Sequence, residues 1–92
     1  MSSPSDDEIL RTVRDFVTQN FLYMRPGFTL ADDENFLRSR VLDSMAIMEL
    51  VIFLRGQYGI ELPEADILEV NLGSLRAVTD YVHARVGTRG AA

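Results

Sequence analysis

Apolar positions recur at helical spacing in three stretches of this chain. Ile9, Leu10, Val13, Phe16, Val17 and Phe21 share one face of a helix predicted over about 6–22, and Ser5 followed three residues on by Glu8 supplies a capping box at its start. Arg25-Pro26-Gly27 ends that helix, since proline lacks a donor and glycine permits a turn. A second helix is predicted from about Ser44 to Tyr58, with Gly59 as a left-handed cap. Its core arc holds Ile47, Leu50, Val51, Leu54 and Tyr58, and Ala46 and Phe53 lie on a flank. Almost opposite the core arc lies a second apolar arc of Met45, Met48 and Ile52, bordered by Glu49, Arg55 and Gly56. A surface helix of a small bundle should be polar there. Either the preceding loop folds over this stripe, or the stripe is a contact surface.

Between these helices runs a connection of about 23–43, long for a compact domain unless it packs its own side chains. Its apolar anchors are Phe28, Leu30, Phe36, Leu37, Val41 and Leu42. After Ile60-Glu61-Leu62-Pro63, the segment Glu64–Glu69 has room for one or two helical turns. Asn71-Leu72-Gly73-Ser74 then leads into a last helix with Leu75, Val78, Tyr81, Val82 and Val86 on one face, and the chain from Gly87 onward is expected to fray. The pattern predicts an all-α fold, a small four-helix bundle of three longer helices and one short one, with a long loop between helices 1 and 2. A single domain is expected over 1–92, with an ordered core at about 6–86 and the character of a free-standing unit.

With 92 residues, 47% of them hydrophobic, such a chain has a thin core and little bulk for a deep substrate cleft. It has no cysteine, so any thiol chemistry must use an imported sulfur. The net charge is −5 and the nine basic residues, all arginine, are scattered, which argues against nucleic acid as a partner. The acidic start Met1-Ser2-Ser3-Pro4-Ser5-Asp6-Asp7-Glu8 is the reverse of a signal peptide, and no apolar run is long enough to span a bilayer. No membrane association and a cytoplasmic location are expected. His83, the one histidine, falls off the apolar stripe of the last helix as a solvated surface residue, and no metal site is expected around it.

The candidate functional atom is the hydroxyl of Ser44, in Leu42-Asp43-Ser44-Met45 at the head of the second helix. Orphan N–H groups and partial positive charge there tolerate an anionic phosphate. The same position also suits Ser or Asp as an ordinary helix cap, so the residues alone leave both roles open.

The surrounding spacing resembles that of acyl and peptidyl carrier proteins over nearly everything from Ile9 to Val86. Asp43-Ser44-Met45 is similar to the family's Asp-Ser-Leu/Met attachment motif. Glu49-Leu50 follows, and Tyr58-Gly59-Ile60-Glu61-Leu62-Pro63 resembles its aromatic-Gly-Ile-x-Ile/Leu-Pro segment, while Asp33 and Phe36 fit the loop before the serine. The resemblance implies that Ser44 carries 4′-phosphopantetheine, donated from coenzyme A by a phosphopantetheinyl transferase, and that the arm's thiol holds an acyl or aminoacyl cargo as a thioester. It implies a non-catalytic shuttle, with Asp43, Met45, Met48, Glu49 and Ile52 as its partner-binding residues; the domain is expected to be monomeric alone, with the same stripe able to support weak self-association. Its partners would be the transferase, an adenylate-forming loading enzyme and downstream synthase or tailoring enzymes.

Two departures from the family pattern bear on partners. The position four before the serine is commonly glycine and is Arg40 here, and the second helix has Glu49 where fatty-acid carriers are richly acidic. Arg40 adds a bulky cation beside the attachment site, placed to contact the phosphate or a partner's acidic rim, and the weakly acidic helix favours a specialised polyketide, nonribosomal-peptide or other natural-product pathway. A carrier of fatty-acid type is one alternative. Another is a non-carrier interaction module in which Ser44 only caps a helix, and a hydrolase built on Ser44 and His83 is more distant.

Overall fold

In a computed structural model, which describes residues 4–22, 27 and 30–90, the chain is a bundle of α1 (Asp6–Phe21), α2 (Ser44–Tyr58), a short α3 (Glu69–Leu72) and α4 (Leu75–Gly90). No strand occurs among the described residues. The proposed break at Arg25-Pro26 and the anchor Phe28 lie outside them.

Each long helix starts where its sequence provides an acceptor. Ser5 Oγ accepts from Glu8 N–H at 3.2 Å, Asp43 Oδ1 from Ala46 N–H at 2.8 Å, and Ser74 Oγ from Ala77 N–H at 3.1 Å. Gly59 closes α2 at φ 62°, donating to the Arg55 carbonyl at 2.9 Å, the left-handed cap expected of it. α4 continues to Gly90, past the Gly87 at which fraying was expected, and 91–92 lie outside the described residues.

α4 packs against the other three helices, with α1 as its main neighbour. Ile9, Val13 and Val17 of α1, Leu50, Val51 and Leu54 of α2, and Leu75, Val78 and Val82 of α4 are fully enclosed. Phe16 stacks on Phe53 with ring centroids 4.1 Å apart, so the α2 flank is also occupied. The core arc of α2 is turned from the expected one. Ala46 is buried with Leu50 and Leu54 at four-residue intervals, while Ile47 is half-buried and faces a surface hollow.

The short third helix differs from the expected one over Glu64–Glu69. A 3-10 turn fills Glu64–Asp66, Leu68 is extended, and α3 starts only at Glu69. The interruption has a physical cause at Asp66, whose carboxylate accepts from Tyr81 Oη at 2.7 Å and from the Arg85 guanidinium. These two bonds, the tyrosine's first, hold the Asp66 carboxyl below its ordinary range. They tie the turn to α4. Gly73 ends α3 under steric constraint, because a Cβ there would lie 2.4 Å from the Glu69 carbonyl oxygen.

Thr79 is fully buried in α4 with its hydroxyl unpaired. A buried hydroxyl without a partner carries an uncompensated desolvation cost. Thr79→Val is therefore expected to stabilise the fold by about 1 kcal/mol in a denaturant titration. A loss of that size would show that the hydroxyl is solvated.

Candidate functional site

The long loop places the candidate serine, and it does so with local structure that the hydrophobic pattern does not disclose. Asn35 acts as a cap, its side-chain oxygen accepting from Arg38 N–H at 2.9 Å, and Ser39 N–H reaches the Asn35 carbonyl at 3.0 Å. This single helical turn closes by Val41 N–H donating to the Phe36 carbonyl at 2.9 Å and Arg40 N–H to that of Leu37 at 3.3 Å. That pair of bonds is a Schellman motif, which needs a left-handed residue at Arg40, and φ there is 58°. Glycine adopts this conformation without penalty, which gives a physical reason for the residue common at this place in the carriers the sequence resembles.

The turn is pinned from three sides. Phe36 is fully buried and donates its N–H to the Gly73 carbonyl at 2.7 Å. Asn35 donates to the Glu69 carboxylate, and Asp32 accepts Arg76 N–H through its carbonyl at 2.7 Å while its carboxylate receives the Arg14 guanidinium. Of the expected loop anchors, Leu30, Phe36, Val41 and Leu42 are buried as predicted. Leu37 is not. It is 46% exposed and borders the site instead.

The chain leaves this turn at Leu42 and enters α2 with Asp43 as the N-cap and Ser44 as the first helical residue. The capping role considered for Ser44 belongs to Asp43. Its side chain takes Ala46 N–H, and its carbonyl takes Ile47 N–H at 3.0 Å. The Ser44 side chain is exposed and takes no part in the cap. It stands between two hollows that both include Leu37. One, of about 360 Å³, is mainly apolar and is formed with Ile47, Met48, Ile67, Leu68, Leu72 and Gly73, with Glu69 as its charged member. The other, of about 590 Å³, is more polar and includes Asn20, Arg40 and Asp43.

The stripe on α2 is open to solvent. Met45 is 80% exposed, Ile52 65% and Met48 45%, so the loop does not fold over them, and Glu49 beside them is exposed as well. Leu68 and Val70, around the start of α3, extend the exposed apolar surface. The sequence pattern did not mark these two, because it placed Leu68 inside a short helix over Glu64–Glu69 and Val70 just after it. Arg55 turns its guanidinium to the Leu62 carbonyl at 2.5 Å, which ties α2 to the segment after it.

His83 has no place in this arrangement. It is exposed on α4 with Nδ1 3.2 Å from an Asp6 carboxylate oxygen, and it borders neither hollow at Ser44. A Ser44–His83 relay has no geometric support. Among the described residues no group of acidic or histidine side chains could hold a metal ion, and no helix is long and apolar enough to cross a membrane.

What the site offers is an exposed primary hydroxyl on a rigid helix end, beside orphan N–H groups of Ser44 and Met45 that tolerate an anion. Among the described residues no histidine lines the hollows beside it, and the neighbouring Asp43 carboxylate is committed to the helix cap. Such a hydroxyl suits modification by a separate enzyme. Comparison with known families agrees in kind: the family model described as phosphopantetheine attachment site matches residues 20–82, a segment that contains Ser44. The chain matches none of the curated proteins with which it was compared.

Proposed function

The chain belongs to the phosphopantetheine attachment site family, carrier proteins with a covalently held 4′-phosphopantetheine, and we propose that in this carrier the arm is esterified to Ser44. One observation carries the assignment to that residue: Asp43 makes the helix cap, which leaves the Ser44 hydroxyl exposed and unused at the head of α2. The residues present fit the group. The helix end accommodates a phosphodiester, and the two adjoining hollows offer a polar and an apolar face to what is attached. When bound, the arm supplies the thiol that this cysteine-free chain lacks.

Carrier domains of this family are generally non-catalytic and are acted on by phosphopantetheinyl transferases and synthase enzymes. The absent cysteines make the test clean. Incubation with coenzyme A and a broad-specificity transferase is expected to raise the thiol content from none to one per chain, and a chain that stays thiol-free would refute the reading.

The finer part of the proposal is a specialised biosynthetic pathway, with an adenylate-forming enzyme loading an acyl or aminoacyl group. Support comes from the docking helix, where Met45, Met48 and Ile52 are exposed and Glu49 is the one acidic residue of α2. Apolar contact through adaptable methionines then outweighs charge in partner binding. Met48→Glu is expected to leave the circular-dichroism spectrum and melting unchanged and to slow loading by about tenfold or more. Normal loading kinetics in the folded variant would show that the stripe is not the contact.

A further inference from the structure

We propose that the Arg40 guanidinium is the counter-cation of the phosphodiester carried on Ser44, a positioning residue for the root of the arm; this rests on Ser44 being the attachment point. The starting observation is a charge imbalance. Of the described residues lining the two hollows that border Ser44, Arg40 is the one cation, against the carboxylates of Asp43 and Glu69. Arg38, its nearest described arginine in sequence, borders a separate hollow with Asp33 and Glu34.

Modification adds a negative charge to the residue next to Asp43, in a chain already at −5. The Asp43 carboxylate cannot turn away without giving up the Ala46 N–H that starts α2. That same bond also removes one helix-end donor from those available to the phosphate. The added charge therefore lies beside a fixed like charge, and a cation within the same hollow relieves the repulsion. Arg40 is the residue placed to do so. It is exposed, it shares the 590 Å³ hollow with Asn20, Asp43 and Ser44, and its backbone is held by the Leu37 carbonyl one turn before the serine. A guanidinium also matches a phosphate with two parallel donors. Arg40 already has an interaction within the unmodified chain, so pairing with the arm is an exchange and its effect is modest.

The test compares modified and unmodified forms of the wild type, Arg40→Gln and Arg40→Lys, each modified to completion as judged by mass. Glutamine and lysine leave the left-handed backbone requirement in place, so the backbone contribution to stability is held nearly constant. The ratio of folding constants, modified over unmodified, is expected to be about two- to fivefold larger in the wild type and Arg40→Lys than in Arg40→Gln at low salt. In 1 M salt, where screening acts over about 3 Å, that difference should shrink towards none. In the wild type the Arg40 Nε–Hε resonance should also move on modification, and the phosphorus resonance should differ between wild type and Arg40→Gln. Equal ratios in all three chains with an unmoved Arg40 resonance overturn the inference alone. A wild type that takes up no arm, or takes it elsewhere than Ser44, overturns the attachment reading and this inference with it.

Discussion

Ser44→Ala is expected to abolish attachment of the arm, and with it all loading of cargo, while leaving the fold as stable as the wild type. The two halves of this expectation have separate causes. Attachment needs the hydroxyl oxygen, for which alanine has no substitute, and the described residues lining the two hollows include no other hydroxyl. Stability is spared because the cap belongs to Asp43, whose carboxylate accepts Ala46 N–H at 2.8 Å, and because the Ser44 side chain is exposed. Removing a true Ser cap costs about 1 kcal/mol, so a change in unfolding free energy of less than about a third of that is expected. The contrast also separates a carrier from a plain interaction module. In a module that binds through Met45, Met48 and Ile52, Ser44→Ala would retain full activity.

Phe36→Ala should be the most damaging substitution in the loop, at about 3–5 kcal/mol of lost stability. Phe36 is fully buried, so its removal leaves a cavity as well as the lost transfer energy. Domains of this kind hold about 5–15 kcal/mol in total, and such a loss brings the variant close to unfolding. Its backbone adds a consequence for the site. The Phe36 carbonyl receives the N–H groups of Val41 at 2.9 Å and Leu42 at 3.3 Å, the two residues that deliver the chain to Asp43 and Ser44. Denaturant unfolding measures the stability loss. A cost below about 1 kcal/mol would show that the loop packs independently of this ring.

The legible part of the fold was the part whose signals are local and periodic. α1, α2 and the Gly59 cap follow from apolar spacing, capping residues and one glycine, and each forms where the pattern places it. The exposed stripe was legible for the same reason, since Met45, Met48 and Ile52 cannot share a face with Leu50, Val51 and Leu54 on a regular helix.

What the pattern missed depends on partners distant in sequence. The 3-10 turn at Glu64–Asp66 is held by Tyr81 and Arg85 of α4, and no spacing rule within the segment signals bonds to residues 15 and 19 positions away. Leu37 reads as a loop anchor because it is apolar, yet in the turn between Asn35 and Arg40 it lies outside while Phe36 takes the core position. At the site, the neighbourhood of Ser44 was legible and its division of labour was not. Asp43 and Ser44 are both favoured caps, and only the geometry shows that the aspartate takes the role and leaves the hydroxyl outside. The apolar hollow joins Leu37 and Ile47 to Ile67, Leu68 and Leu72, residues that no linear motif connects.

The most direct test of the central proposal is mass spectrometry of the intact wild type after incubation with coenzyme A and a transferase, followed by peptide mapping of the product. The expected result is a single 4′-phosphopantetheine on the peptide containing Leu42-Asp43-Ser44-Met45, localised to the Ser44 oxygen. An unmodified mass, or an arm localised to any other residue, would contradict it.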